Sequence, residues 1–182
     1  MMLALLAIAV LAFAIILIYN ALVRLKVQCD SAWADIDVQL KRRHDLIPNL
    51  VEAVKGYAAH ERGTFEAVAA ARNQAMTAQG AAAKGEAEGI LSGALRQLFA
   101  VAEAYPQLRA VESFTQLQNT VSQIEDTLQN ARRYYNAVVR DLNTRIDQFP
   151  SNLVANMCGF RPREFFEITV PAERDVSRVD LT

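Results

Sequence analysis

The chain opens with an uninterrupted apolar segment. Residues 1–19, MMLALLAIAVLAFAIILIY, carry no charge, and the first charged side chain is Arg24. As an α-helix this segment would rise about 29 Å at ~1.5 Å per residue, close to the ~30 Å hydrocarbon core of a bilayer. A backbone in lipid must satisfy its own hydrogen bonds, so we predict a transmembrane helix over residues 1–23. The predicted membrane-spanning residues include Leu3, Leu11, Ile18 and, at the level of the headgroups, Tyr19.

A cleavable signal peptide is the competing interpretation of this segment. Such a peptide needs a positively charged start, a shorter apolar run and a cleavage site followed by polar chain. No Lys or Arg precedes the run, and its A-x-A-like triplets lead into further apolar residues. We therefore predict a retained anchor. Arg24 and Lys26 follow the span directly, and the positive-inside bias then predicts a cytoplasmic body and an external N-terminus.

Helical periodicity continues beyond the anchor. Apolar positions step mostly by three and four, which is typical of one face of an α-helix. These positions are Leu22, Leu25, Cys29, Trp33, Ile36, Leu40, Ile47, Leu50, Val54 and Tyr57. Pro48 interrupts the stripe; it lacks a backbone N–H and clashes with the preceding turn, so we predict a kink there. A new helix capped by Asp45 is the alternative.

Three further helices are predicted. The second covers residues 61–77, and its inward side is expected to carry Phe65, Val68, Ala69, Arg72 and Met76. Residues 79–89 hold three glycines among alanines and predict a connection. The third helix covers residues 90–105, with inward Leu91, Leu95, Leu98 and Val101 or Ala102. The fourth runs from Pro106 to Phe149 with alternating steps of three and four, as in bundle or coiled-coil packing.

Four helices joined by short links are expected to pack up and down. The predicted fold is therefore all-α: the transmembrane helix continues into an antiparallel four-helix bundle with long first and fourth helices. The bundle is predicted over residues 24–149. Residues 150–182 are predicted to form an amphipathic or irregular tail on the membrane side, because the fourth helix returns toward the bilayer.

Aromatic and basic side chains are mixed in this tail. The candidate interfacial residues are Phe160, Arg161, Phe165 and Phe166. Aromatic rings beside arginines are typical of elements that lie at a membrane surface. In the other interpretation, the apolar side chains only close the end of the bundle.

Composition, charge and motif spacing limit the classes of protein to which this chain can belong. The formal net charge of −1 excludes the strongly basic face of a nucleic-acid-binding protein, and two cysteines exclude a disulfide-dense scaffold. His60 and Glu61 begin like a zinc-protease helix, but Thr64 stands where the second histidine is needed. Cys158 is predicted to be an inert thiol. We therefore predict no catalytic residues, no metal and no cofactor.

The densest charge cluster lies around residue 43. Its residues, with the nearby proline, form the candidate partner surface: Lys41, Arg42, Arg43, His44, Asp45 and Pro48. Lys41 would lie about 27 Å beyond Arg24 along a straight helix, outside the ~10 Å screening length, so headgroup binding in the same membrane is not expected. Two interpretations remain: a solvated helix face with salt bridges to a neighbouring helix, or a contact with a protein partner.

Residues 35–60, DIDVQLKRRHDLIPNLVEAVKGYAAH, carry a resemblance to a known family. Later motifs extend it: Tyr105-Pro106, Ala131-Arg132-x-x-Tyr135-Asn136, Asn143-x-x-Ile146-x-x-Phe149-Pro150, Gly159-Phe160 and Phe165-Phe166-Glu167. With these motifs the chain resembles the LemA family of bacterial membrane-anchored helical proteins. The resemblance implies a single N-terminal span, a short external end and a cytoplasmic helical bundle, with no established enzymatic reaction. A magnetosome-associated branch implies a part in membrane organisation. The tail at residues 176–182 departs from the family's usual ending.

The sequence therefore predicts a non-enzymatic scaffold in the bacterial inner membrane. It is expected to self-associate through its long helices and to organise membrane or cell-envelope partners. The expected partners are the lipid bilayer, further copies of the chain and an unidentified membrane or envelope protein, with no nucleic acid. The alternative is an accessory or regulatory subunit of a membrane enzyme such as a protease or transporter.

Overall fold

The computed structural model describes residues 1–168, except for the side chain of Arg109. This part of the chain is all-helical, which confirms the predicted class. Its helices are α1 (Met2–Lys55), α2 (Arg62–Thr77), α3 (Ala81–Glu103), α4 (Pro106–Arg109), α5 (Glu112–Asp147) and α6 (Ser151–Met157). The predicted departure of the tail at residues 176–182 lies outside the described residues.

The chain divides into two compact units. Of the described residues, unit 1 comprises 1–37 and 130–165, and unit 2 comprises 38–129 and 166–168. The core of unit 1 joins residues of α1, α5 and α6, namely Leu22, Cys29, Ala32, Ile36, Tyr135, Val138, Val139, Leu142, Ile146, Val154 and Ala155. The indole of Trp33 and the ring of Tyr135 lie 5.3 Å apart between centroids.

The core of unit 2 draws on every helix that enters that unit. Ile47, Leu50 and Val54 of α1 pack with the buried faces of α2 and α3. Leu108 of α4 and Phe114 of α5 complete the same cluster. The structure confirms that the inward positions predicted for the third helix are buried: Leu91, Leu95, Leu98 and Ala102.

Helix α1 continues through Pro48 to Lys55. The alternative of a new helix capped by Asp45 is therefore wrong. Because proline lacks an N–H, the carbonyl of His44 loses its usual partner four residues on. The Nε–H of Arg72 in α2 donates to that carbonyl oxygen at 2.8 Å. A side chain from the neighbouring helix thus replaces the missing bond, and the helix does not need to end.

The inward face of α2 differs from the prediction. Its buried residues are Phe65, Val68, Ala71 and Ala75, whereas Ala69 and Met76 are exposed. The prediction followed the large apolar side chain of Met76. The packed face instead uses small alanines at the same helical spacing, which permits close approach of the adjacent α3.

Residues 79–89 are not the predicted connection. Helix α3 begins at Ala81, so most of this segment is helical. Alanine has the highest helix propensity and offsets the glycines. Gly85 is buried, and a Cβ built on it would overlap the backbone carbonyl of Glu167. This glycine therefore allows another chain segment to approach closely instead of ending the helix.

The predicted fourth helix is divided in two. Pro106 occupies the first turn of a short helix, as predicted, but α4 ends at Arg109 and α5 begins at Glu112. The N–H of Val111 donates to the carbonyl of Leu108 at 3.0 Å in a tightened last turn. The interruption lets both Leu108 and Phe114 face the core, and the apolar spacing alone does not reveal it.

Candidate functional site

By length and composition, the apolar part of α1 can cross a membrane. An 18-residue window of the helix meets this criterion, and none of it is buried in the protein. A core helix of a soluble protein would be mostly covered. Among the predicted spanning residues, Leu3, Leu11 and Tyr19 are exposed and Ile18 is half-buried. This is the exposure that a membrane anchor requires.

The predicted partner surface around residue 43 separates into exposed and buried residues. Lys41, Arg42, Asp45 and Pro48 are exposed, and Lys41 pairs with Asp45 one turn later at 3.0 Å. Arg43 and His44 are buried, with Arg43 at 0% exposure. Placing these two residues on an exposed surface was therefore a wrong prediction. They face the interior of unit 2, where carboxylates of other helices meet them.

Arg43 is the centre of a buried polar cluster in unit 2. Its guanidinium donates to Glu88 Oε2 at 2.9 Å and to Ser92 Oγ at 2.7 Å, both in α3. It also pairs with Glu125 Oε1 of α5 at 2.6 Å. His44 Nε2 lies 2.6 Å from the second oxygen of Glu88. The predicted salt bridges to neighbouring helices are confirmed, and they involve buried groups.

This cluster joins α1, α3 and α5, and two of its members, Ser92 and Glu125, also line a cleft of about 370 Å³ in unit 2. Arg43 and the side chain of Glu88 have no exposed surface. Breaking a buried pair leaves an uncompensated charge, so the cluster favours one arrangement of α1, α3 and α5. Glu88 was missed because residues 79–89 were predicted as a connection.

In unit 1 the segment after α6 is held through its backbone. The side-chain amide of Asn143 donates to the carbonyl of Arg163 and accepts from its N–H, each at 2.9 Å. The hydroxyl of Tyr135 donates to the carbonyl of Glu164 at 3.0 Å. The Arg163 guanidinium pairs with Asp30 of α1. The side chain of Asn143 thus holds the backbone of this segment on α5.

The start of that segment is set by the end of α6. Gly159 has φ of 73°, in the left-handed region that favours glycine. The Phe160 N–H bonds to the Ala155 carbonyl at 3.0 Å, and the Gly159 N–H bonds to the Asn156 carbonyl. These two bonds form a Schellman motif, which ends the helix and turns the chain.

A cleft of about 640 Å³ lies in unit 1 beside this turn. One wall is a single face of α1, and the other is the segment from Cys158 to Arg163. Its charged lining residues are Lys26, Asp30, Arg161 and Arg163, so three basic groups face one carboxylate. The rings of Tyr19 and Phe160, which also line it, meet edge to face with centroids 5.9 Å apart. The cleft thus combines aromatic rings with a net positive charge.

The four candidate interfacial residues have different environments. Arg161 and Phe165 are exposed, and Phe160 is half-buried against Tyr19. Phe166 is fully buried and belongs to unit 2, so its placement at a membrane interface was a wrong prediction.

The two cysteines are both free and differ in accessibility. Cys29 is buried and Cys158 is exposed. Burial raises the pKa of the Cys29 thiol, and the Arg163 guanidinium offsets part of this rise. Across residues 1–168, no group of three or more His, Cys, Asp or Glu residues is placed to hold a metal ion.

Comparison with known proteins places this architecture in a family. The model of the LemA family matches residues 32–181, most of the chain. The chain belongs to the LemA family. The resemblance carried by residues 35–60 is thereby confirmed. The match includes the buried Arg43–His44 pair, Pro48 and the backbone-held segment after α6.

Several curated proteins are similar to this LemA-family chain. Magnetosome protein MamQ 2 of Paramagnetospirillum magneticum is 26% identical over 175 residues, covering 82% of this chain and 64% of the relative. Magnetosome protein MamQ of Magnetospirillum gryphiswaldense is 25% identical, covering 91% of this chain and 71% of the relative. Protein LemA of Metamycoplasma hominis is 24% identical, covering 89% and 72%. The chain thus spans slightly less than two thirds of the Paramagnetospirillum relative's length.

These similarities agree with the structure on a coarse description. The names of the family and of these relatives state no enzymatic activity, and two of the relatives are magnetosome proteins. Together with the exposed apolar part of α1, which by length and composition can cross a membrane, the family indicates a membrane-associated protein with a helical body.

Proposed function

We propose that this LemA-family protein is a membrane-anchored scaffold. It self-associates and organises membrane or cell-envelope partners from the bacterial inner membrane, with its N-terminus outside and its helical body in the cytoplasm. The observation that carries the proposal is the continuity of α1. Helix α1 contains both the fully uncovered apolar window and the buried Arg43, so the anchor and the folded body share one continuous helix.

We further propose that α1, α2, α3 and α5 form the antiparallel four-helix bundle. The contacts within unit 2 support this arrangement. Arg43 of α1 reaches Glu88 in α3 and Glu125 in α5, and Arg72 of α2 donates to the α1 backbone. Each helix is thus joined to another by a charged side chain, as well as through the apolar core.

Two features support self-association. Helices α1 and α5 contain 54 and 36 residues, against 16 and 23 in α2 and α3, and long helices offer extended surfaces for pairing. Large apolar side chains are also exposed outside the apolar N-terminal segment, including Val27, Val38 and Tyr134. Such side chains are available to pack against a second copy of the chain.

Self-association is tested by mass photometry of the full-length protein extracted in detergent. We expect discrete masses above that of the monomer, because the long helices supply the contact surface. A monomer at every concentration would contradict the scaffold. A fixed ratio of this chain to one different membrane protein, found by co-purification, would instead support an accessory subunit of a membrane enzyme.

Orientation is tested with the native cysteines. A membrane-impermeant maleimide added to intact spheroplasts is expected to leave the protein unlabelled, because Cys158 lies on the cytoplasmic side in the proposed topology. After permeabilisation we expect one label per chain, on the exposed Cys158. Cys29 is expected to stay unmodified, because it is buried and its raised pKa disfavours the reactive thiolate.

The matched controls are Cys158→Ser, which should abolish labelling, and Cys29→Ser, which should leave it unchanged. Labelling of Cys158 in intact spheroplasts would place the C-terminal part of unit 1 outside the cell and reverse the proposed topology.

A further inference from the structure

We propose that the unit 1 cleft binds the phosphate of an anionic phospholipid headgroup, in the leaflet where α1 leaves the bilayer. This inference rests on the proposed membrane anchoring. It adds a specific ligand site to what the fold and the family describe.

The position of the cleft is set by Tyr19. This residue ends the apolar run, at the level where aromatic side chains meet lipid headgroups. Its ring contacts the ring of Phe160, and both rings line the cleft. The segment after α6 is therefore held beside the end of the predicted span, and the cleft opens at headgroup level.

The charges in the cleft suit a phosphate. The Arg163 guanidinium is paired with Asp30, which neutralises both groups. Within the described part of the chain, Lys26 and Arg161 make no ion pair, and both are exposed. Two cations therefore remain available on opposite walls of the cleft. Charge-assisted hydrogen bonds from Lys and Arg to phosphate are among the strongest in proteins.

The size of the cleft fits a headgroup. Its volume of about 640 Å³ lies within the ~300–1,000 Å³ range of small-molecule sites. Its outer wall is fixed, because Asn143 and Tyr135 hold the backbone at residues 163 and 164 and the Schellman motif fixes the turn at Gly159. A site formed before the ligand arrives loses less free energy on binding.

The apolar side chains beside the cleft suit the lipid tails of the same molecule. Phe149, Leu153 and Met157 repeat every four residues and are 75%, 56% and 84% exposed. The last of these directly precedes Cys158, which lines the cleft. An exposed apolar stripe next to basic groups is typical of a helix that lies in the boundary between headgroups and acyl chains.

Native mass spectrometry of the full-length protein, titrated with single lipids, tests the proposal. Wild-type protein is expected to bind phosphatidylglycerol about tenfold more tightly than phosphatidylcholine, a difference of ~1.4 kcal/mol. In the double variant Lys26→Gln, Arg161→Gln this preference should disappear. The matched control is Lys41→Gln, Arg42→Gln, which removes two exposed cations from unit 2 and should leave the preference unchanged.

Two results would overturn the headgroup site: unchanged phosphatidylglycerol preference in the Lys26, Arg161 variant, or equal loss in the Lys41, Arg42 control. Binding of inorganic phosphate without any preference for phosphatidylglycerol would assign the site to a soluble phosphate and would also overturn it. Membrane fractionation and mass photometry of the same variants test the anchoring and the self-association independently of the lipid assay. If they remain in the membrane and associate normally, a failed lipid assay contradicts this site and leaves the proposed scaffold intact.

Discussion

Replacing Arg43 by alanine is expected to lower the free energy of unfolding by about 3–5 kcal/mol. Arg43 is fully buried, and its guanidinium meets Glu88 and Glu125 on two other helices. Without Arg43, the buried Glu88 carboxylate keeps its contact with His44 but loses its cationic partner. The loss should appear in urea unfolding of the detergent-solubilised protein, followed by circular dichroism.

The control for this variant lies two residues earlier on the same helix. Lys41 is exposed, and its pair with Asp45 is solvated on both sides, so Lys41→Ala should cost less than about 0.5 kcal/mol. The double variant Arg43→Met, Glu88→Leu removes both charges of the buried pair. We expect it to recover part of the stability that Arg43→Ala loses. Equal small effects at positions 41 and 43 would contradict the burial of the cluster.

Replacing Phe166 by alanine is expected to destabilise the protein by about 3–5 kcal/mol, the range for a buried aromatic ring. Phe166 has 0% exposure, whereas its neighbour Phe165 has 36%. The backbone of the next residue, Glu167, closes on Gly85, where a side chain would not fit. Loss of the ring should therefore loosen the segment that passes over α3.

Phe165→Ala is the matched control, with the same change of side chain one residue earlier. We expect its cost to stay below about 1.5 kcal/mol, since much of the ring is already in solvent. Thermal unfolding of the two variants, measured side by side in the same detergent, gives the comparison. A larger loss for Phe165 than for Phe166 would reverse the assignment of buried and exposed faces.

Much of the fold could be predicted from apolar patterns that extend over many residues of the sequence. The apolar run predicted the uncovered part of α1, and the steps of three and four predicted the buried Leu91, Leu95, Leu98 and Ala102 of α3. Such patterns report which face of a helix is covered, and they persist over many turns. The all-helical class followed from them directly.

The errors arose where tertiary contacts override local preference. Gly85 was taken as a sign of a connection, although it is a small residue inside a helix that another segment crosses. Arg43 and His44 have the charge of surface residues, and their burial depends on Glu88 and Glu125, which lie 45 and 82 residues further along the chain. A single sequence gives no direct sign of such distant pairs.

The cleft was only partly foreseen. The mixture of aromatic and basic residues drew attention to Phe160 and Arg161, but nothing in the pattern paired them with Tyr19 and Lys26 on α1. In the structure, the two hydrogen bonds between the Asn143 side chain and the backbone of Arg163 hold the segment after α6 in place. An asparagine on a long helix has many possible roles, and its role here is visible only in the folded chain.

The segment after α6 is held largely through its main-chain atoms. Asn143 bonds to the N–H and carbonyl of Arg163, and Tyr135 bonds to the carbonyl of Glu164. Main-chain atoms are the same whichever amino acid occupies a position. Homologous chains can therefore exchange the side chain at position 161 while the segment keeps its path. A substitution at position 161 would therefore change the charge of the cleft without removing these bonds, whereas a substitution of Tyr135 or Asn143 would remove them.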